Sequence, residues 1–166
     1  MRRTTTRRVS LALTLVAVAL TTLPGVASAS EQSQSLNGVR QATVPYHNVA
    51  NAESAGYSMF LDCFDSDAGG MGQHYVNLNA LDGEVDALSP EAMVYEVTGR
   101  GLKLVAVEYI VPGDLVDPAN PPRLFGMPFH ENTALGVWVL HAWIWKKNPS
   151  GIFADYNPNV RQCPVA

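Results

Sequence analysis

The chain has 166 residues, with 15 acidic against 11 basic side chains and a net charge of −4. This acidic balance disfavours nucleic acid and anionic membrane surfaces as partners, because both reward clusters of lysine and arginine.

The first 29 residues have the order of a secretory signal peptide. Arginines at positions 2, 3, 7 and 8 precede an apolar stretch, Val9–Leu23, and the small residues Ala27-Ser28-Ala29. Cleavage before Ser30 leaves 137 of the 166 residues, enough for one domain over 30–166, with seven basic against 15 acidic groups and a net charge of −8. The apolar stretch is shorter than the roughly 20 residues that span a bilayer. We therefore expect no membrane span after cleavage, and export to the cell envelope or the medium.

The two cysteines, Cys63 and Cys163, are predicted to form a disulfide. A pair of cysteines in an exported chain is most often bridged. In the chain-entropy model, a loop of about 100 residues closed in this way stabilises the fold by about 4.7 kcal/mol. A catalytic thiol is the alternative, and an oxidising compartment disfavours it.

Residues 30–56 are predicted to be helical. Pro45 predicts a break, or a second helix with proline in its first turn, and Gly56 is a plausible end. The apolar residues that recur at helical spacing are Leu36, Val39, Ala42, Val49 and Ala52.

After a glycine-rich loop predicted over residues 62–72, a short strand is expected from His74 to Leu78. The segments Met93–Thr98 and Leu102–Val111 are rich in Val, Tyr and Ile and predict two strands, joined by the three-residue loop 99–101. A long Pro-rich segment follows, of a length that is usually functional or disordered. Val137–Trp145 predicts the last strand.

A helix followed by strands joined through turns, with no βαβ alternation, predicts an α+β domain. We expect the N-terminal helix to pack on one face of an antiparallel β-sheet. A cystatin-like or NTF2-like arrangement fits this order of elements, and that likeness implies no function.

The period of two along a strand assigns side chains to faces, given a Thr98–Leu102 pair across the loop. The set predicted to face the helix comprises Met93, Tyr95, Val97, Val105, Val107, Tyr109, Trp138, Leu140, Ala142 and Ile144. The opposite set comprises Val94, Glu96, Leu104, Ala106, Glu108, Ile110, Val137, Val139, His141, Trp143 and Trp145. A face with carboxylates, an imidazole and indoles suits a ligand pocket.

A metal site at His74, Glu108 and His141 is the first functional hypothesis. All three lie in predicted strands, and two histidines with a carboxylate are a common ligand set for a divalent transition metal such as Zn, Fe or Cu. His130, beside Glu131 in the long loop, is a candidate fourth ligand. Three structural sheet residues are the alternative interpretation, since the histidines lack the spacing of a local motif.

Two further hypotheses use the same face. Glu108 could raise the basicity of His141 and form an acid–base pair for catalysis. Trp143 and Trp145, together with Glu96, could bind a flat or sugar-like ligand, or form a protein interface. Core packing and a structural ion pair are the corresponding structural interpretations.

Several sequence blocks resemble a family of uncharacterised exported bacterial proteins. They are Gly-Met-Gly-Gln-His-Tyr (70–75), Pro-Glu-Ala-Met-Val-Tyr-Glu (90–96), Val-Glu-Tyr-Ile-Val-Pro (107–112), the segment 141–153 and Asn-Pro-Asn (157–159). The resemblance spans most of residues 56–163. It implies a shared fold and export, and it implies no activity.

The sequence thus predicts an exported small domain that binds a metal ion or small ligand on a face lined by His, Glu and Trp. An acid–base enzyme and a structural or protein-binding envelope factor are the alternatives.

Overall fold

The computed structural model describes residues 29–164. The predicted signal peptide lies outside these residues except for Ala29, so its cleavage stays a prediction. The described chain confirms the α+β class, with N-terminal helices and an antiparallel sheet. Within residues 29–164, no helix is both long enough and apolar enough to cross a bilayer.

Two helices form the segment that the sequence predicts as helical. α1 spans Ala29–Thr43, α2 spans Val49–Ser54, and a 3₁₀ helix over Val44–His47 joins them. Pro45 stands in the first turn of the 3₁₀ helix, where its missing N–H costs nothing. Asn48 caps α2, because its side chain accepts a hydrogen bond from a backbone N–H of the first turn.

Eight strands follow. They are β1 (Ser58–Ser66), β2 (Gly69–Val76), β3 (Ala92–Thr98), β4 (Gly101–Pro112), β5 (Arg123–Leu124), β6 (Met127–Pro128), β7 (His130–Asn132) and β8 (Val137–Ala142). Six of them form one antiparallel sheet in the order β1-β2-β3-β4-β8-β7, while β5 pairs with β6.

The main core lies between this sheet and the helices, where Leu36, Val39 and Ala52 pack against β3, β4 and β8. The opposite face of the sheet carries two smaller apolar clusters, one that includes Trp143 and one that includes Ile110. Both faces of the central strands are therefore buried, and the candidate site lies on the second face.

The glycine-rich loop predicted for residues 62–72 is wrong, because this segment forms the hairpin of β1 and β2. Two of its glycines, Gly69 and Gly70, are required because residues 157–161 pack closely against them. A Cβ at Gly69 would lie 2.5 Å from the backbone of Asn157, and one at Gly70 would lie 2.4 Å from the carbonyl oxygen of Arg161. The glycines that suggest a loop in the sequence are therefore explained by contact between this hairpin and residues 157–161.

Strand β1 is interrupted by a bulge. Residues 61–63 lie opposite the single residue Gln73, and Leu61 has a positive φ of 56°. Within the bulge, Cys63 is bonded to Cys163, with the Cα atoms 5.7 Å apart. The predicted disulfide is confirmed, and it joins the bulge to the C-terminal segment.

The loop between β3 and β4 has two residues rather than the predicted three, because Thr98 pairs with Gly101 instead of Leu102. Two-residue loops are the commonest hairpin connections. Near this turn, the residues of β4 are therefore shifted by one position relative to the predicted register.

A bulge at Val105 restores the predicted register. Tyr95 pairs with Leu104 while Val94 pairs with Ala106, so Val105 has no partner on β3. From Ala106 onward the side chains lie on their predicted faces. Leu104 and Val105 exchange faces, since Leu104 joins the main core and Val105 joins the cluster of Trp143.

The last predicted strand, 137–145, ends early at Ala142. The backbone N–H of Trp143 bonds to a loop carbonyl instead of a strand neighbour. Trp145 then packs on the helix side, where its Nε1 donates to Thr43 Oγ1 at 3.1 Å. The prediction that Trp145 shares a face with Trp143 is therefore wrong.

The Pro-rich segment 112–136 is largely irregular, as predicted, but it carries short elements. A 3₁₀ helix over Gly113–Leu115 precedes β5 and β6, and β7 pairs with β8 at the edge of the sheet. Phe125 and Phe129 are buried in the main core and anchor the segment. A further 3₁₀ helix spans Leu78–Ala80.

A buried acid, Glu91, makes stability depend on pH. Its side chain accepts a hydrogen bond from the N–H of Ile110 at 3.0 Å, and burial raises its pKa from 4.5 to about 7. A carboxyl group with a raised folded pKa contributes stability that is complete below pH 4.5 and lost as the pH rises to 7. We expect Glu91→Gln, which keeps an acceptor oxygen, to gain about 1–3 kcal/mol over wild type at pH 8 and nothing at pH 4. Urea unfolding at both values measures the difference, and an equal gain at both would contradict the expectation.

Candidate functional site

Two imidazoles and one carboxylate meet on the sheet face opposite the helices. The Nε2 atom of His74 lies 3.3 Å from Oε2 of Glu108 and 3.4 Å from Nε2 of His141. The Nε2 atom of His141 lies 3.4 Å from Oε1 of Glu108. All three residues are buried, with exposed fractions of 4%, 7% and 1% for His74, Glu108 and His141. The structure thus brings together the three residues that the sequence predicts as a cluster.

Strand register explains why these side chains meet. Glu108 on β4 pairs directly with His141 on β8, whereas His74 on β2 reaches across β3, about 9–10 Å from β4. Ala92, the partner of Glu108 on β3, and Ala106 on β4 present only methyl groups on this face. These small residues leave room for the imidazole and the carboxylate above them.

The separations in the cluster match those between atoms that share one metal ion. Distances of 3.3–3.4 Å exceed the roughly 2.9 Å typical of an N–H···O hydrogen bond. Four ligands placed tetrahedrally at about 2.0–2.1 Å from a zinc ion are about 3.3–3.4 Å from one another. Among the described residues, these are the ones whose ligand atoms converge closely enough to hold a metal ion.

A second carboxylate stands behind His141. The Oδ1 atom of Asp155 lies 3.5 Å from Nδ1 of His141 and 3.3 Å from Nε2 of His130. His130 therefore contacts Asp155 and does not join the cluster as a fourth ligand, and Glu131 lines the adjoining pocket. A carboxylate at the far nitrogen commonly orients a histidine that binds a metal. Asp155 lies in an irregular loop, and no sequence motif marked it.

The surroundings shift the pKa values of the two histidines in opposite directions. Burial lowers the pKa of His74, and the Glu108 carboxylate offsets only part of that effect. Burial also acts to lower the pKa of His141, but Glu108 and Asp155 together raise it above the usual value. The carboxylates around His141 therefore favour its protonated form more than burial opposes it, whereas burial dominates at His74. Binding a metal would replace a proton here, since a ligating imidazole must be neutral on the nitrogen that binds.

Both Nδ1 atoms of the cluster are buried polar atoms with unusual surroundings. The imidazole of His74 contacts the backbone of Gly72, and the Nδ1 of His141 lies 3.5 Å from Oδ1 of Asp155, but neither contact gives its Nδ1 atom a hydrogen bond of normal geometry. Buried polar groups are rarely left unsatisfied, and exceptions are often functional. Both Nδ1 atoms thus have only weak partners within the fold.

Two adjoining depressions reach the cluster. A cavity of about 170 Å³ with mainly apolar walls reaches His74 and Glu108. A more polar depression of about 260 Å³ reaches Glu108 and His141 beside Asp155. The cluster is therefore buried within the fold but accessible to small molecules.

The residues predicted to bind a flat ligand lie elsewhere. Trp143 stacks against His141 with ring centroids 6.2 Å apart, but it is 2% exposed and its Nε1 donates to the carbonyl of Ala154. Trp145 lies on the helix side, as described above. Glu96 is buried and accepts two hydrogen bonds from Nζ of Lys146 at 2.8 Å. None of these three side chains is brought to the cluster as a free ligand-binding surface.

Comparisons with known proteins do not assign the chain to a family. No family model, no curated protein and no solved structure matched it.

Proposed function

We propose that this protein binds one divalent transition metal ion through His74, Glu108 and His141. The observation that carries the proposal is the convergence of three buried side chains, in which the two imidazole Nε2 atoms lie 3.4 Å apart and each lies 3.3–3.4 Å from one oxygen of the Glu108 carboxylate. Asp155 supports it as the orienting partner of His141. The disulfide supports the predicted exported location, in the cell envelope or outside the cell, since such bonds persist in oxidising compartments.

The ligand set favours a reactive or ligand-binding ion over a closed structural one. Structural zinc sites use four protein ligands, whereas catalytic sites use three and keep one position open. Two histidines and one carboxylate also match the set that holds Fe(II) in oxygenases. An ion here would lie where the two depressions meet at Glu108, so a small molecule could reach its open position.

A metal-free acid–base pair is the second candidate. It is supported by the Glu108–His141–Asp155 arrangement, in which two carboxylates raise the pKa of the imidazole between them. The third hypothesis, an envelope factor whose indoles form an interface, finds no support in the buried Trp143. The cystatin-like or NTF2-like order stays a prediction and has no part in this proposal.

Zinc titration tests the proposal. The protein is exported to an oxidising compartment, purified without chelator or histidine tag, and titrated with zinc against a chromophoric chelator. We expect one ion per chain, with more than about a 100-fold loss of affinity in His74→Ala and in His141→Ala, because each removes a direct ligand rather than an outer partner.

His47→Ala is the matched control, since His47 packs against Trp145 away from the cluster, and it should bind zinc as wild type does. Wild-type protein that is purified without metal and takes up no added zinc would contradict the proposal. The acid–base pair would then be the remaining candidate. Equal zinc affinity in the three variants would contradict it as well.

A further inference from the structure

The apolar cavity beside the cluster has walls suited to a hydrocarbon group. It lies between β1, β2, β4 and β8, and its apolar lining includes Phe60, Phe64, Val76, Ile110 and Val139. Its described lining contains no lysine or arginine. Anything that fills it gains mainly from removing apolar surface from water.

The volume limits the size of that group. The cavity holds about 170 Å³, close to the roughly 150 Å³ of an engineered apolar cavity that binds benzene. A single aromatic ring or a short branched chain therefore fits, whereas a long acyl chain or a fused ring system does not.

The charge of the metal-loaded site indicates the polar group at the other end of the ligand. A divalent ion and the carboxylate of Glu108 leave one positive charge on the cavity side of the cluster, next to His74, because the Asp155 carboxylate lies behind His141, outside the cavity lining, where it also contacts His130. A buried charge needs a partner of opposite sign. A monoanion would supply one, and its oxygen atoms suit the open position of the ion. The polar depression carries Glu131 and Asp155, which repel an anion, so the apolar cavity is the favoured side.

We infer that the cluster, loaded with its metal ion, binds a small carboxylic acid whose ring-sized apolar body fills the cavity between β1, β2, β4 and β8. The inference rests on the proposed metal site. It assigns the carboxylate to the ion and the hydrocarbon body to the walls around Phe64 and Val139.

Three probes separate the contributions of head and body. Benzoate carries both, acetate lacks the ring, and benzyl alcohol lacks the anionic head. By calorimetry on the zinc-loaded protein, we expect benzoate to bind at least about 10-fold more tightly than either of the others, because only it uses both contacts. Benzoate should also bind at least about 10-fold more weakly to the zinc-free protein, and in return should tighten zinc binding by the same factor.

A cavity-filling variant tests the location. Val137→Phe places a ring in the cavity from a partly buried position on β8, and should lose benzoate binding by at least about 10-fold while keeping zinc. Val97→Phe is the matched control, since Val97 is a partly buried strand valine that lines neither depression. Wild type loaded with Co(II) gives a readout independent of any variant, because benzoate bound to the ion changes the visible absorption of the metal.

The outcomes separate this inference from the proposed function. One zinc ion bound per chain, with benzoate no tighter than acetate, overturns the inference and leaves the metal site standing. Equal benzoate affinity with and without zinc, or an unchanged Co(II) spectrum at saturating benzoate, overturns the role of the ion. Failure to bind zinc removes both proposals.

Discussion

Replacing both cysteines by serine is expected to lower the free energy of unfolding by about 4–5 kcal/mol. Cys63 and Cys163 are separated by 100 residues, and the chain entropy released by opening so long a loop is about 4.7 kcal/mol at 25 °C. A domain of this size is typically stable by about 5–15 kcal/mol, so the loss is a large part of the total. Urea unfolding of Cys63→Ser/Cys163→Ser against wild type measures it.

The same variant affects the site, because the disulfide anchors the segment after β8, and that segment carries Asp155. That segment is also held by the N–H of Asn157, which donates to the carbonyl of Gly70 at 3.0 Å. Wild type treated with a non-chelating phosphine reductant serves as the control and should lose the same stability. A loss below about 1 kcal/mol in both samples would show that the segment is held by its other contacts alone.

Replacing Lys146 by methionine is expected to cost about 3 kcal/mol of stability. Lys146 lies 2.8 Å from the Glu96 carboxylate, whose side chain is 4% exposed, and its own side chain is 22% exposed. Burial acts to raise the pKa of Glu96, but Lys146 and the N–H of Arg161 hold it below the usual value. Removing one partner of a buried pair leaves an uncompensated charge, which typically costs about 3–5 kcal/mol, and partial exposure of Lys146 places this case at the lower end.

A double-mutant cycle measures the pair. Glu96→Gln/Lys146→Met should recover most of the loss, because the neutral amide still accepts a hydrogen bond from Arg161. Lys147→Met is the matched control, because Lys147 is the next residue along the chain and its side chain is exposed. The effect of this variant on stability should stay within about 0.5 kcal/mol. A cost for Lys146→Met as small as that of Lys147→Met would contradict the assignment.

Two members of the cluster were predictable because they lie in strongly patterned strands, while His74 was included because it lies in a predicted strand. Glu108 and His141 interrupt apolar stretches at positions where the period of two places them on one face, and the structure pairs them directly. The prediction survived two errors in β4, since a loop shorter by one residue is compensated by the bulge at Val105. Sequence periodicity therefore placed Glu108 and His141 on one face without an accurate register.

Features that depend on contacts between distant segments were not predictable. Asp155 reaches His141 only because the loop after β8 folds back onto the sheet. Trp145 lies on the helix side because the chain leaves the sheet after Ala142, which no residue pattern announces. Gly69 and Gly70 indicated a loop, but they are required because residues 157–161 pack closely against them.

The bulge in β1 has a consequence for encounters between separate molecules. β1 is one edge of the sheet, and Met59 and Leu61 on it are 62% and 50% exposed. A long, regular edge strand with such side chains would offer unpaired N–H and C=O groups to a second chain and favour aggregation. The bulge at 61–63, with two more residues than the partner strand, breaks that row of groups, and β7 at the other edge has only three residues. Neither edge presents a continuous template for intermolecular strand pairing.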